Sequence, residues 1–126
     1  MNILIIEDNI EVQESLKLLC QEVTDANVLI ASDGAEGLII LNSEVIFDLI
    51  ITDLNMPYFG GQDIVKNLRS ERNNPNYLTP IIILSGELNL SNNLSSANID
   101  NVFFLEKFSH LGNNLTKYIR LLTFKN

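Results

Sequence analysis

The sequence lacks the features that mark exported or membrane-spanning proteins. It contains one cysteine, Cys20, so an intramolecular disulfide is impossible and a reducing compartment is favoured. The segment 1–9 has no basic residue and only four consecutive apolar residues, which argues against a signal peptide. The other apolar runs are too short to cross a bilayer. We therefore expect a soluble, cytoplasmic protein that does not contact a membrane.

Basic residues are also scarce. The chain has 8 Lys and Arg against 16 Asp and Glu, a formal net charge of -8. Such a chain repels phosphate backbones and anionic lipid surfaces, so direct binding to nucleic acid or membrane is disfavoured. The acidity alone names no partner, because it also keeps proteins soluble.

Apolar runs alternate with amphipathic segments along the 126 residues, 46% of which are hydrophobic. Short continuous apolar runs are typical of strands buried on both faces, and apolar residues at steps of three and four are typical of helices. The predicted strands are 3–6, 28–32, 48–53, 81–84 and 101–106. The predicted helices are 10–23, 35–42, 61–71 and 111–122. This alternation predicts a single α/β domain with a doubly wound parallel sheet and helices on both faces.

The segment 87–100 is the weakest part of this pattern. It is rich in Asn and Ser, which bond to nearby backbone and compete with helix formation. We expect a short helix there, near Ser91 to Ala97.

Polar side chains follow four of the predicted strands. Glu7 and Asp8 follow the first strand, Asp53 ends the third, Ser85 follows the fourth and Lys107 follows the fifth. Singly, each has an ordinary explanation as a turn former or surface residue. Together they would lie in one crevice, because the carboxyl ends of parallel strands meet at one edge of the sheet.

Three carboxylates in one crevice need positive charge. At about 4 Å and an effective dielectric constant near 20, each pair repels by roughly 4 kcal/mol. Lys107 supplies one positive charge, and a divalent cation would supply two. Carboxylate, carbonyl and water oxygens suit Mg²⁺, so the residues predict a magnesium site.

The chain resembles the receiver domain of bacterial two-component response regulators. The resemblance rests on "IIED" ending at Asp8, "DLNMPYFGG" starting at Asp53, "ILSG" with Ser85 and "FFLEK" ending at Lys107. It covers essentially the whole chain. It implies a flavodoxin-like, five-stranded sheet of order 2-1-3-4-5, in one receiver domain over residues 1–126 without an output domain.

The resemblance also implies roles for the crevice residues. Asp53 would accept the phosphoryl group, and Lys107 would pair with its oxygens. Asp8, Asp53 and the backbone carbonyl of Asn55 would bind Mg²⁺ directly, with Glu7 acting through water.

Two further residues would transmit the signal. The resemblance places Ser85 at the hydroxyl switch position and Phe104 at the aromatic switch position. Ser85 would turn toward the phosphoryl group, and Phe104 would fill the space that it leaves.

The implied function is a phosphorylation-switched signalling module. A histidine kinase or phosphotransfer protein would donate the phosphoryl group, and an unidentified protein would read the altered surface. We expect a monomer or a weak dimer through the face formed by the fourth helix, the fifth strand and the fifth helix.

Two alternatives are open to direct checks on the sequence. A phosphohydrolase that forms an aspartyl phosphate needs a second acid two residues after the nucleophile, where this chain has Asn55. A purely structural module would lack the acceptor or the lysine, and both Asp53 and Lys107 are present. We therefore expect a protein that catalyses only its own phosphorylation and dephosphorylation.

Three positions lead to finer expectations. Phe108 follows Lys107 where the family usually has proline. A cis peptide bond costs about 0.5–1 kcal/mol before proline but about 3–4 kcal/mol before another residue, so we expect the Lys107–Phe108 bond to be trans. Phe104 lacks the hydroxyl of the common tyrosine, so we expect some inward population without phosphate. Asn55 and Glu87 are polar, which in this family accompanies a short-lived phosphate.

Overall fold

The computed structural model of the chain describes residues 1–86, 101–107 and 111–123. The strands are β1 (Asn2–Ile6), β2 (Asn27–Ala31), β3 (Leu49–Asp53), β4 (Ile81–Ser85) and β5 (Val102–Glu106). The described helices are α1 (Ile10–Val23), α2 (Gly34–Leu41), α3 (Gly61–Ser70) and α4 (Leu111–Thr123). The predicted elements coincide with these to within about one residue at each end.

The strands form one parallel sheet of order β2-β1-β3-β4-β5. This confirms the predicted flavodoxin-like class and strand order. The chain leaves β1 first toward β2 and later returns to β3 on the other side, so the order reverses between β1 and β3. Ligands of such sheets bind beyond the carboxyl ends of the strands at this reversal.

Some of the sequence-based predictions concern residues beyond this description. The short helix expected near 91–97 and the Lys107–Phe108 bond both lie outside the described residues. The last helix is therefore labelled α4 here, although the sequence pattern counts it as the fifth.

Each face of the sheet is buried by a pair of helices. Ile3 and Ile5 of β1 face one layer, which includes Leu16 of α1 and Leu115 of α4. The alternate β1 residues face the other layer, with α2 and α3. Cys20 lies in the first layer, where burial raises the pKa of its thiol to about 12. The thiol therefore acts as a small apolar group. None of the helices in the described ranges has the length and apolar character needed to cross a bilayer.

A buried asparagine ties the loops at the amino-terminal edge of the sheet. The Asn76 Oδ1 accepts from the Phe47 amide at 2.7 Å and from the Thr79 hydroxyl at 3.2 Å. Its Nδ2 donates to the carbonyls of Val45 at 2.8 Å and Leu41 at 3.4 Å. The Asn-rich loop before β4 is thus held by side-chain hydrogen bonds, at the edge away from the crevice.

We expect Asn76→Ala to lower the free energy of unfolding by about 2–4 kcal/mol, because it leaves the buried Phe47 amide and the partly buried Val45 carbonyl without this partner. Urea unfolding followed by circular dichroism measures the loss. Asn73→Ala is the matched control, since Asn73 is exposed in the same loop and its loss should cost under about 0.5 kcal/mol. Equal effects of the two substitutions would contradict the role of Asn76.

Candidate functional site

The topology brings the polar residues at the strand ends into one crevice. Glu7 and Asp8 directly follow β1, and Asp53 is the last residue of the neighbouring β3. Ser85 ends β4, and Lys107 follows β5. The Lys107 amide donates to the Ser85 carbonyl at 2.8 Å, so the sheet pairing continues to the rim of the crevice.

The three acids converge on one point. Glu7, Asp8 and Asp53 each offer a carboxylate oxygen, and these atoms all lie within 4.8 Å of one another. Glu7 is 0% exposed and Asp53 is 6% exposed, whereas Asp8 is open to solvent. The cluster therefore has two buried carboxylates and one side from which a ligand can enter.

Lys107 bridges the two buried carboxylates. Its Nζ lies 3.0 Å from Asp53 Oδ2 and 3.2 Å from Glu7 Oε2. The ammonium is itself largely buried, with 11% of its side chain exposed. Hydrogen bonds between charged groups are stronger than those between neutral ones, so Lys107 orients the Asp53 carboxylate.

Burial and the neighbouring charges shift the pKa values of Glu7 and Lys107. Burial raises the pKa of Glu7, repulsion by Asp53 raises it further, and attraction to Lys107 only partly offsets them. Burial disfavours the charged form of Lys107, but its hydrogen bond to Asp53 and the attraction of both acids raise its pKa overall. Lys107 therefore stays charged. The ionised form of Glu7 is destabilised, and a bound cation would stabilise it.

Residues of α1 and its N-cap hold Glu7 in place. The Gln13 side-chain amide donates to the Glu7 carbonyl at 2.7 Å, and the Asn9 amide donates to Glu7 Oε1 at 3.2 Å. Asn9 also caps α1 by accepting from the Val12 amide at 3.1 Å. Sequence reasoning missed Gln13. The available signal was a polar residue at helical spacing from the buried Leu16.

The loop between β3 and α3 closes tightly beside Asp53. The Asn55 amide lies 3.4 Å from Asp53 Oδ1, and the Gly61 amide donates to the Leu54 carbonyl at 3.1 Å. A Cβ at Gly60 would lie 2.3 Å from the Leu54 oxygen. Gly60 has φ -96°, so glycine is needed there for close approach and not for left-handed backbone.

Ser85 and Phe104 occupy neighbouring strands and the same face of the sheet. Phe104 is in register with Ile83, two residues before Ser85, and side chains two residues apart in a strand share a face. Phe104 is half-buried and packs against the layer that includes Ile83. The inward population of Phe104 stays a prediction.

The chain matches the family model of the response regulator receiver domain over residues 3–120. The protein belongs to this family. The resemblance to the receiver domain of a two-component response regulator is thereby confirmed.

Among curated proteins, the receiver domain is similar to the cell cycle response regulator CtrA of Brucella ovis. The two are 35% identical over 86 residues, which are 68% of this chain and 34% of that protein. The match thus spans about a third of the length of this relative.

Solved structures show the same fold. A response regulator receiver domain protein from Clostridium thermocellum is 29% identical, with a TM-score of 0.77 over 97% of this chain and 93% of that one. The receiver domain of a sensor histidine kinase from Pseudomonas aeruginosa is 20% identical, with a TM-score of 0.79 over 97% of this chain and 96% of that one. That second protein, whose likeness is one of fold, carries a magnesium ion coordinated in its active site cleft.

The raised pKa of Glu7 predicts a pH-dependent stability of the metal-free receiver domain. A raised pKa means that the folded state binds more protons than the unfolded state above the ordinary value of 4.5, so stability falls as pH rises from there through the folded pKa. Glu7→Gln removes this charge. In EDTA at pH 7 we expect a higher thermal midpoint than that of the wild type, and a flatter pH dependence.

Glu14→Gln is the control for this prediction, because Glu14 is an exposed acid on α1 and its loss should not change the pH profile. Differential scanning fluorimetry on a series of samples between about pH 4 and pH 8 measures the thermal midpoint of the wild type and of both variants. A Glu7→Gln domain that is less stable than the wild type at pH 7 in EDTA would contradict the assignment.

Proposed function

We propose that this receiver domain accepts a phosphoryl group on Asp53 from a histidine kinase or phosphotransfer protein, in a Mg²⁺-dependent reaction that alters its interaction surface. The observation that carries the proposal is the placement of Asp53, nearly buried, with its carboxylate bound by Lys107 and clustered with Glu7 and Asp8. Membership in the receiver family supports it.

The donor set fits magnesium. Lys107 offers one positive charge against three clustered carboxylates, and carboxylate oxygens are ligands that Mg²⁺ prefers. Asp8, Asp53 and the backbone carbonyl of Asn55 would bind the ion directly, with Glu7 acting through water. Once bound, Mg²⁺ would neutralise charge on the transferring phosphoryl oxygens.

The residues of the chain do the positioning. A carboxylate oxygen of Asp53 attacks the phosphorus, the bond from phosphorus to the donor nitrogen breaks, and the donor keeps the bonding electron pair. Phosphoryl transfer needs orientation and charge neutralisation more than covalent assistance. Lys107 supplies orientation and charge neutralisation. It orients the Asp53 carboxylate before the reaction, and its ammonium neutralises negative charge on the phosphoryl oxygens of the product.

Phosphorylation then changes the charge of the crevice. The new group carries about 1.5 to 2 negative charges and three strong acceptors, in place of the single negative charge of the Asp53 carboxylate. We propose that the Ser85 hydroxyl donates to one of these oxygens and that Phe104, on the same face of the neighbouring strand, moves into the space released. This couples the crevice to the surface around β5 and α4.

The chemistry proposed is limited to the domain's own phosphorylation and dephosphorylation. Asn55 follows Asp53 by two residues, at the place where a phosphohydrolase of this chemistry needs a general acid. The side-chain amide of Asn55 is too weak an acid to protonate a leaving group at neutral pH.

Incubation with phosphoramidate and Mg²⁺ should add one phosphoryl group, detected as a shift in intact mass. Asp53→Asn or excess EDTA should abolish the shift, because one removes the nucleophile and the other the cation. Asp25→Asn is the control, since Asp25 is an exposed acid at the opposite edge of the sheet and should label normally. Labelling that persists in Asp53→Asn would refute the proposal.

The phosphorylated domain is expected to lose its phosphate quickly. The Asn55 side chain is exposed beside Asp53, which leaves water a path to the phosphoryl group; Glu87, the second residue in this prediction, lies outside the described residues. Intact mass followed after removal of the donor measures the decay, which Asn55→Leu should slow. A phosphate stable for many hours at neutral pH would count against the prediction.

A further inference from the structure

The first residue of α2 lies against the backbone of the loop that follows Asp53. A Cβ added to Gly34 would lie 2.3 Å from the Phe59 carbonyl oxygen and 2.6 Å from the Phe59 Cβ. The nearest of these atoms belongs to the backbone and cannot rotate away. Even alanine at position 34 would therefore displace either the loop or α2.

The contacted part of the loop is a strained turn. The Phe59 amide donates to the Pro57 carbonyl at 2.8 Å, and the residue between them, Tyr58, has φ 69°. This bond across three residues with a positive central φ forms a γ-turn of the rare, strained kind. Tyr58 is 96% exposed, so its side chain offers little packing to offset the strain. The turn depends on its surroundings to keep its shape.

The two ends of the loop are fixed at the sheet. The Leu54 amide donates to the Leu84 carbonyl at 2.9 Å, and the Gly61 amide returns to the Leu54 carbonyl. Asp63 Oδ2 also accepts from the Gly60 amide at 3.0 Å. The stretch between these anchors, which contains Asn55 and the strained turn, is the part that meets α2.

The start of α2 is itself held firmly. Asp33 caps the helix by accepting from the Glu36 amide at 2.7 Å, and Glu36 accepts from the Ser32 amide at 3.1 Å. One turn later, a Cβ at Gly37 would lie 2.6 Å from Ile6 Cδ1, so the helix is pressed against the core. The loop consequently meets a rigid surface at Gly34.

We propose that Gly34 is a positioning residue for the divalent cation site. Its lack of a side chain lets the strained turn rest on α2, and this sets the path of the loop from Phe59 back to Asn55, whose backbone carbonyl is the expected ligand beside Asp53. The inference rests on the proposed function, because the cation is part of it.

Calorimetric titration of Gly34→Ala with MgCl₂ tests the proposal. A displaced loop carries the Asn55 carbonyl away from Asp53, so we expect Mg²⁺ affinity to fall by about tenfold or more, the usual effect of losing an outer support of a metal ligand. Phosphorylation by phosphoramidate should slow at low Mg²⁺ and recover as Mg²⁺ is raised, because Asp53 and Lys107 are unchanged.

Two glycines serve as matched controls. Gly37→Ala crowds the same helix, but against the end of the Ile6 side chain and away from the loop. Gly112→Ala in α4 meets no atom of the described residues within 4 Å. Both should bind Mg²⁺ as the wild type does, even where Gly37→Ala lowers the thermal midpoint.

A measurement on the wild type covers the case in which Gly34→Ala does not fold. In a ¹⁵N-labelled domain titrated with Mg²⁺, the amide signals of Gly34 and Ala35 should shift with the same midpoint as that of Asn55. The Gly37 amide, one turn further, should shift much less. Gly34 and Ala35 signals that do not respond would overturn the inference.

The outcomes separate the two proposals. If the wild type binds no Mg²⁺ and takes up no phosphoryl group, the proposed function fails. If the wild type does both and Gly34→Ala binds Mg²⁺ equally tightly, the contact between α2 and the loop is ordinary packing, and only the present inference is overturned.

Discussion

The buried ammonium of Lys107 holds together the edge of the sheet on which the candidate chemistry depends. It pairs with Glu7, 100 residues away in the chain, and with Asp53, 54 residues away. The two buried carboxylates would repel each other, and their desolvation would be costly without a partner. A single cation just after the end strand thus allows acids at the ends of two central strands to stay buried side by side.

Lys107 neutralises only part of the negative charge in the crevice. With Asp8 included, three acids face one lysine. The pKa of Glu7 is raised by burial first and by Asp53 second, and Lys107 only partly offsets them. A site that is short of positive charge gains from binding a divalent cation. The same excess of negative charge lowers the stability of the metal-free domain and favours the cation binding that the proposed chemistry needs.

The two edges of the sheet are built differently. At the amino-terminal edge, Asn76 joins the loops before β3 and β4, and Arg69 donates to the carbonyls of Tyr77 at 2.6 Å and Thr79 at 2.8 Å. At the carboxyl edge, the loop after Asp53 contains a strained turn and an almost fully exposed Tyr58. Rigid support at one edge and strained loops at the other are typical of folds that place function on loops.

The sequence by itself determined the positions of the described strands and helices, the class of fold and the acids and lysine of the crevice. These follow from local patterns, because buried parallel strands need continuous apolar runs and their carboxyl ends share an edge. Only the tertiary structure decided that Gln13 holds Glu7, that Asn76 ties two loops and that Gly34 lies against Phe59. Asn76 meets a carbonyl 31 residues away and Gly34 meets the loop after Asp53, so no local pattern specifies their roles. Gln13 is only 6 residues from Glu7, but its role depends on how α1 packs beside the end of β1.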